Sequence, residues 1–448
     1  MSTQLTRTRD LIDAISPSFC AAKWYNASIW LSNGRTASCH HPLAHFIPTA
    51  ELMKNPSALH NTSTKKTFRI EMLEGKRPEE CSYCWRVEDL NDPNIYSDRV
   101  YKSMVYSPGD IMDITSLAPD ANVDPKNLEI CFDNLCNMAC SYCNSEFSST
   151  WSSDIASNGP YKDMKTNGGH TYENDGQHGM PFGSKNEGNF YIKKFFDWFN
   201  GGLRKSLQEL RVSGGEPTRS PDFWKLVDSF NRESFNFAVN TNLMIDEERL
   251  TKLINIKDQF RKFDIYTSGE AHGKNANFVR SGLDYDTWKK NLYTLQTSAP
   301  SINTHIMMTV SALSVWTIDK FLEDILQLRQ ETKEQIKGNT IPYHMSVNIL
   351  RFPSFQSVNL LPQDIKTALA AKIEAVVEST TLLTELEKNN FVRCIAYLRE
   401  VDKSYEDTDT TENKINDFKQ FVNQYSTRRN MPIEQYMPEE FINWFNTL

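Results

Sequence analysis

The chain has 448 residues, of which 39% are hydrophobic and 24% charged, so it is long enough for two or three globular domains. The net charge of −8 and the lack of a long basic block argue against nucleic acid as the main partner. We find neither an apolar stretch of about 18 residues nor the apolar core of a signal peptide, so we expect no membrane span and a cytoplasmic location. Nine cysteines in a reducing compartment favour metal ligation over disulfides.

Residues 1–90 are predicted to form a small cysteine-rich domain. Its four cysteines are Cys20, Cys39, Cys81 and Cys84. Residues 28–38 are typical of a β-hairpin with its turn at Asn33-Gly34, which would return the second cysteine to the first. Four thiolates can close a tetrahedral zinc site or a fully ligated [4Fe–4S] cluster, and spacing alone leaves both open. We expect the adjacent His40 and His41 to be solvated rather than ligands.

Residues 91–126 are rich in turn-forming residues and predict a linker packed along the surface. A predicted strand over 127–133 follows, and then Cys136, Cys140 and Cys143 with the spacing C-x3-C-x2-C. Three thiolates on one loop can hold three corners of an iron–sulfur cube and leave the fourth iron open for a substrate or cofactor. We expect Cys131, inside the strand, to pack rather than to ligate.

Residues 155–190 lack hydrophobic periodicity and predict a long polar loop, either a lid over the substrate or a tolerated surface insertion. Five further strands are predicted over 208–213, 235–241, 262–267, 303–310 and 344–350, with amphipathic helices between most of them. This alternation predicts parallel βαβ units and therefore an α/β fold. Six units over residues 127–358 would make a partial (β/α)6 TIM-like barrel, with its chemistry at the carboxyl ends of the strands. Residues 359–448 predict a C-terminal helical segment.

The carboxyl end of the second predicted barrel strand carries Gly214-Gly215-Glu216. Paired glycines allow the backbone to approach a ligand closely, and a glutamate can accept hydrogen bonds from an ammonium group. Together with the three-cysteine motif, and with Tyr142 before its last cysteine, this run resembles the radical SAM superfamily.

The resemblance implies an enzyme in which the three cysteines hold a [4Fe–4S] cluster whose open iron binds S-adenosylmethionine (SAM). Reductive cleavage of SAM would then give a 5′-deoxyadenosyl radical that abstracts a substrate hydrogen. It also implies cofactor-binding roles for Tyr142, Gly214, Gly215, Glu216, Asn242, Ser268 and Arg280. Gly214, Gly215 and Glu216 would hold the SAM amino group, and Arg280 would pair with the SAM carboxylate. Leu350 and Arg351 are weaker candidates for the adenine site.

The N-terminal pattern, C-x13-G-x4-C followed by C-x2-C, resembles a SPASM or twitch domain, here placed before the barrel instead of after it. This resemblance implies a second, auxiliary [4Fe–4S] cluster. The implied partners are a peptide or small-molecule substrate and an electron donor such as flavodoxin or ferredoxin. The alternative is a zinc-binding cysteine-rich module that interacts with protein or RNA and has no SAM chemistry.

Overall fold

The computed structural model describes residues 2–174, 188–336, 341–400 and 409–448. It has a mixed α/β fold built on a large, mostly parallel sheet. The strands in these ranges are β1 Asn26–Trp30, β2 Arg35–Ala37, β3 His45–Phe46, β4 Asn127–Cys131, β5 Ala139–Cys140, β6 Glu209–Ser213, β7 Asn236–Thr241, β8 Phe263–Ser268, β9 Arg280–Ser281, β10 Asn303–Val310 and β11 His344–Ile349.

Most helices start after a residue with extended backbone. Ser107, Asp246 and Thr384 cap their helices by accepting a hydrogen bond from a backbone amide of the first turn. Their bounds are α1 Ser2–Ile15, α2 Ala22–Tyr25, α3 Thr49–Lys54, α4 Ser63–Leu73, α5 Ser82–Glu88, α6 Asp98–Ser103, α7 Pro108–Thr115, α8 Ser149–Asn158, α9 Phe190–Trp198, α10 Arg204–Ser206, α11 Pro221–Asp228, α12 Glu247–Asn255, α13 Gly273–Val279, α14 Tyr285–Ser298, α15 Ile318–Ile336, α16 Gln363–Ser379, α17 Glu385–Arg399, α18 Thr411–Arg429, α19 Ile433–Tyr436 and α20 Glu439–Phe445. None of the described helices combines the length and apolar character needed to cross a bilayer.

Nine strands form one sheet in the order β11-β10-β8-β7-β6-β4-β1-β2-β3, and β5 pairs with β9 separately. The pairs β1–β4, β4–β6, β8–β10 and β10–β11 are parallel. All six strands predicted from the sequence are confirmed, with ends shifted by at most two residues. Along β6 and β10, buried and half-exposed residues alternate, so each of these strands has one apolar face and one more polar face.

The chain divides into two compact units, and the predicted boundaries at residues 90 and 126 do not separate them. Unit 1 comprises residues 1–133, 181–213 and 231–237, and unit 2 comprises 134–180, 214–230 and 238–448. Residues 91–126 are not a surface linker, because α6 and α7 bury Val100, Ile111 and Ile114 in the same core as Trp24 and Trp85. The N-terminal cysteine-rich segment is therefore one part of a larger unit.

The predicted hairpin is present in unit 1, where Ser28 pairs with Ala37 and Trp30 with Arg35. Its loop has four residues instead of the two expected, because the paired strands end at Trp30 and Arg35. Of the loop residues only Gly34 has a positive φ, 64°, whereas the expected two-residue turn needs two such residues. A side chain at Gly34 would also collide with the Tyr191 ring. Both the positive φ and this close contact therefore favour glycine here.

Of the polar loop predicted over 155–190, the structure describes residues 155–174 and 188–190, and part of the first range is packed instead of forming a free surface insertion. Residues 155–158 complete α8, and Tyr161 and Tyr172 are buried against Trp151 and Phe421. The buried carboxylate of Asp417 accepts hydrogen bonds from the Lys165 and Thr166 backbone amides at 2.8 and 2.7 Å. The rest of this prediction, residues 175–187, lies outside the described residues.

Candidate functional site

The three cysteines of the C-x3-C-x2-C motif lie on a loop of unit 2 that is folded by short-range contacts. Cys140 lies in β5 and pairs in register with Arg280 of β9. The Met138 amide donates to the Cys136 sulfur at 3.4 Å, and the Cys143 amide donates to the Cys140 carbonyl at 3.0 Å. The loop is therefore closed on itself by these short-range hydrogen bonds.

The thiols of Cys136, Cys140 and Cys143 lie close enough to affect one another electrostatically, but among the described residues their sulfurs do not form a group within 4.8 Å of one another. Burial and, to a smaller extent, the neighbouring Cys140 together raise the pKa of Cys136 to about 12. Burial also raises the pKa of Cys143, and both other cysteines add to that increase. At Cys140 burial raises the pKa, but the Arg280 guanidinium opposes it. These thiols are therefore protonated at neutral pH, and a metal that binds them must displace their protons.

Unit 2 has one other cysteine, Cys394, which lies in α17 with 2% of its surface exposed. Burial alone raises its pKa to about 12, with no contribution from another thiol. Unit 2 therefore gathers three cysteines, and its fourth lies elsewhere.

Two glycines allow the backbone to pack directly against the cysteine loop. A Cβ at Gly215 would lie 2.5 Å from the Leu135 carbonyl oxygen, and a Cβ at Gly282 would lie 2.5 Å from the Asn137 carbonyl oxygen. Gly282 and Gly214 also have positive φ angles of 101° and 132°. The glycine pair was predicted to approach SAM, and Gly215 itself approaches the protein's own loop.

Three successive carbonyls of the loop are held by buried aromatic donors. The Tyr425 hydroxyl donates to the Ala139 carbonyl at 2.7 Å, the Trp151 indole to that of Cys140 at 3.0 Å, and the Tyr172 hydroxyl to that of Ser141 at 2.8 Å. These donors come from α18, α8 and the segment before residue 175, so chain-distant segments fix the loop. Sequence reasoning missed all three, because aromatic residues carry no motif for this role.

Glu216 is buried and already has several hydrogen-bond donors. One carboxylate oxygen accepts from the Thr218 and Thr241 hydroxyls, both at 2.7 Å, and the other accepts from the Asn242 amide at 2.6 Å. The Asn242 side chain donates to Asn137 of the cysteine loop at 2.9 Å. The structure therefore brings Glu216, Asn242 and the cysteine loop into one hydrogen-bond network.

Arg280 pairs with a residue that had no assigned role, Glu270. Its Nε donates to Glu270 Oε1 at 2.9 Å and its Nη2 to Oε2 at 2.8 Å. Nη2 also donates to the Tyr142 hydroxyl, and Nη1 lies 3.5 Å from the Cys140 sulfur. The guanidinium thus contacts the cysteine loop, but much of its hydrogen-bonding capacity is used within the protein. Glu270 lies two residues after Ser268, to which the family resemblance gives a cofactor-binding role.

Ser268 ends β8, and its hydroxyl makes no hydrogen bond to any described residue. No described contact joins it to the cysteine loop. Arg351 is exposed and Leu350 is half-buried, with the Leu350 amide bonded to the Val310 carbonyl at 2.9 Å. These three candidates are not brought to the loop by direct contact.

Unit 1 gathers the four N-terminal cysteines around one cavity. Cys20, Cys39, Cys81 and Cys84 all line it. Burial raises the pKa of Cys84 to about 12, and the other three thiols all contribute in the same direction. Burial raises the pKa of Cys20 as well, with Cys39 adding to it. The predicted set therefore converges across more than 60 residues of sequence.

Two cations lie beside these thiols and favour their deprotonated form. Lys23, which is buried and ion-paired with Glu80, lowers the pKa of Cys81 against the larger effect of burial. Lys23 and Arg99 both lower the pKa of Cys20 in the same way. Positive charge at a four-thiol cavity suits an anionic metal–thiolate centre.

His41 also lines this cavity, and His40 precedes it in the chain. The ligand atoms of Cys39, His40 and His41 lie within 4.8 Å of one another. The His41 ring stacks on Tyr83 with centroids 3.7 Å apart, and its Nε2 is hydrogen-bonded to Asp98 at 2.7 Å. His41 is therefore not simply solvated, and the histidines give a second possible ligand set next to Cys39.

No protein-family model matches this chain, and no curated protein matches it either.

Proposed function

We propose that the protein is a radical SAM enzyme with an auxiliary metal centre in unit 1. The observation that carries the proposal is the placement of Cys136, Cys140 and Cys143 on one loop, where their thiols interact electrostatically, with Cys394 apart from them. Three thiols without a fourth suit an iron–sulfur cube with one open iron. The Gly-Gly-Glu run packs on this same loop through Gly215.

The residues around the loop fit a [4Fe–4S] cluster and SAM. The three thiols would hold the cluster, and the Arg280 guanidinium would donate a hydrogen bond toward its sulfurs from beside Cys140. When bound, the cluster and SAM supply one-electron cleavage of SAM to a 5′-deoxyadenosyl radical that abstracts hydrogen from the substrate. Glu216 orients the strand end through Thr241 and Asn242, and it keeps one oxygen with a single protein donor for an ammonium group.

The fold proposed for this chemistry is a partial (β/α)6 barrel. Parallel strands are usually apolar on both faces because helices cover both. Here β10 presents Asn303, His305, Met307 and Thr309 as half-exposed residues between buried ones. A parallel strand with one open, polar face suits the interior of an incompletely closed barrel, where a substrate would lie.

The N-terminal centre is proposed to be an auxiliary [4Fe–4S] cluster held by Cys20, Cys39, Cys81 and Cys84. All four positions would then be occupied by protein thiolates, so this centre would transfer electrons rather than bind substrate. Zinc is the second candidate, because the close approach of Cys39, His40 and His41 offers the mixed sulfur and nitrogen ligands that zinc accepts.

SAM cleavage by anaerobically reconstituted, reduced protein tests the proposal, with 5′-deoxyadenosine measured by chromatography. We expect wild type to form 5′-deoxyadenosine and Cys140→Ala to form almost none, since three thiolates are the minimum for the cube. Cys394→Ala is the matched control and should behave like wild type. A Cys140→Ala rate equal to that of wild type would refute the proposal.

A further inference from the structure

Unit 1 has a second cleft, on the polar face of three neighbouring parallel strands. The register places two rows of side chains side by side across β1, β4 and β6. The first row is Asn26, Asn127 and Glu209, and the second is Ser28, Glu129 and Arg211. All six line a cleft of about 460 Å³, part of it open to solvent.

The residues between these positions are buried and apolar, as Ala27, Leu128 and Leu210 illustrate. The six polar residues are therefore not isolated exceptions in a core. They form one continuous polar face on strands whose other face is packed. Because parallel sheets seldom leave a face polar, this surface has a use other than packing.

Charges of both signs are held in place on this face. Glu129 accepts hydrogen bonds from Ser213 at 2.5 Å and from Ser28 at 3.5 Å. Arg211 donates to Glu209, two residues earlier on the same strand, at 3.3 Å. His40 and Lys102 complete the wall of the cleft.

One buried polar atom lacks a partner in this cleft. Asn127 Oδ1 is inaccessible to solvent and has no hydrogen-bond partner among the described residues. An unpaired buried acceptor is costly, on the order of 1–3 kcal/mol.

We propose that this cleft binds a small zwitterion, an α-amino acid or the equivalent dipeptide. Glu129 would accept hydrogen bonds from its ammonium group, and Arg211 and Lys102 would bind its carboxylate. Two carboxylates, Glu129 and Glu209, make the cleft unsuitable for polyanions such as nucleic acid. The role of this zwitterion as substrate rests on the proposed function, whereas its binding does not.

Equilibrium binding to the reconstituted full-length protein tests the inference. The probes are alanine, glutamate, lysine and glycylglycine, with acetate and ethylammonium as ligands of one charge. We expect at least one zwitterion to bind with a Kd below about 1 mM and both single-charge ligands to bind at least tenfold more weakly. Comparing the affinities of the free amino acids with that of glycylglycine shows whether the cleft prefers an amino acid or a dipeptide.

Variants assign the two charges separately. Glu129→Gln and Arg211→Gln should each weaken zwitterion binding at least tenfold, and Arg211→Lys should restore much of it. Lys205→Gln, an exposed change on α10, is the control and should bind like wild type. Iron content and the circular dichroism spectrum report whether each variant is folded.

Binding of no zwitterion below about 10 mM, or equal affinity in folded Glu129→Gln and Arg211→Gln, would overturn the inference. SAM cleavage is measured on the same samples. Cleavage without zwitterion binding refutes the cleft assignment alone. Zwitterion binding by protein that neither holds iron nor cleaves SAM supports the cleft and refutes the proposed function.

Discussion

Arg280 illustrates what single residues contribute here. Its motif predicted a contact with the SAM carboxylate, but the guanidinium is nearly buried and already paired with Glu270, which is 1% exposed. The sequence showed that an arginine stands at this strand end, but not which acid it faces, because the two residues meet only after β8 and β9 are placed. The pair also holds the Tyr142 hydroxyl, so three side chains behind the cysteine loop act as one group.

Arg280→Met should destabilise the apoprotein strongly, because it leaves the Glu270 carboxylate buried and without its cation. Breaking a buried pair in this way costs about 3–5 kcal/mol, which urea denaturation of the apoprotein would measure as a lower midpoint. The double variant Arg280→Met, Glu270→Met should recover most of this loss, because no unpaired charge remains.

Arg399→Ala is the matched control for this prediction. It breaks an ion pair with Glu374 on the exposed faces of α16 and α17, so the urea midpoint should not change measurably. An Arg280→Met midpoint no lower than that of this control would show that the buried pair does not stabilise the loop.

At the scale of elements, hydrophobic periodicity predicted six strands of the mostly parallel sheet and the principal helices, since burial of alternate residues fixes both type and position. Elements without periodicity were missed: β5 and β9 have two residues each, and their pairing depends on Gly282. The aromatic support of the cysteine loop was equally hidden, because Tyr425 lies 286 residues from the carbonyl that it contacts.

Tyr425→Phe should loosen the cysteine loop without unfolding unit 2. The change removes the hydroxyl that serves Ala139 and that accepts from the Ser281 amide at 3.3 Å, which leaves buried backbone groups unpaired. Leaving these groups unpaired costs about 1–3 kcal/mol. Hydrogen exchange of residues 136–143 should therefore accelerate about tenfold or more.

Tyr397→Phe removes a hydroxyl that is hydrogen-bonded to Asn359 on the partly exposed surface of α17, and it should leave this exchange unchanged. Equal exchange in both variants would mean that the Tyr425 hydroxyl does not hold the loop.

At the scale of the whole molecule, each unit contains one of the two predicted cysteine sets. Unit 2 has the three cysteines of the loop, and unit 1 has the four that line one cavity. Both sets were predicted as metal ligands from spacings that are local or joined by a hairpin, and their metal binding stays a prediction. The sequence did not predict the unit boundaries, since unit 1 is assembled from three separate segments. Such non-local contacts have no signature in composition or periodicity.

The most direct test of the central claim is the iron, sulfide and zinc content of anaerobically reconstituted protein. For wild type the account predicts about eight irons per chain and no zinc, and for Cys81→Ala, Cys84→Ala about four irons with the cluster of Cys136, Cys140 and Cys143 retained. The double variant Cys136→Ala, Cys140→Ala should likewise retain about four irons, those of the centre in unit 1. About four irons and one zinc in wild type would contradict the second cluster, and wild type without iron would contradict the whole account.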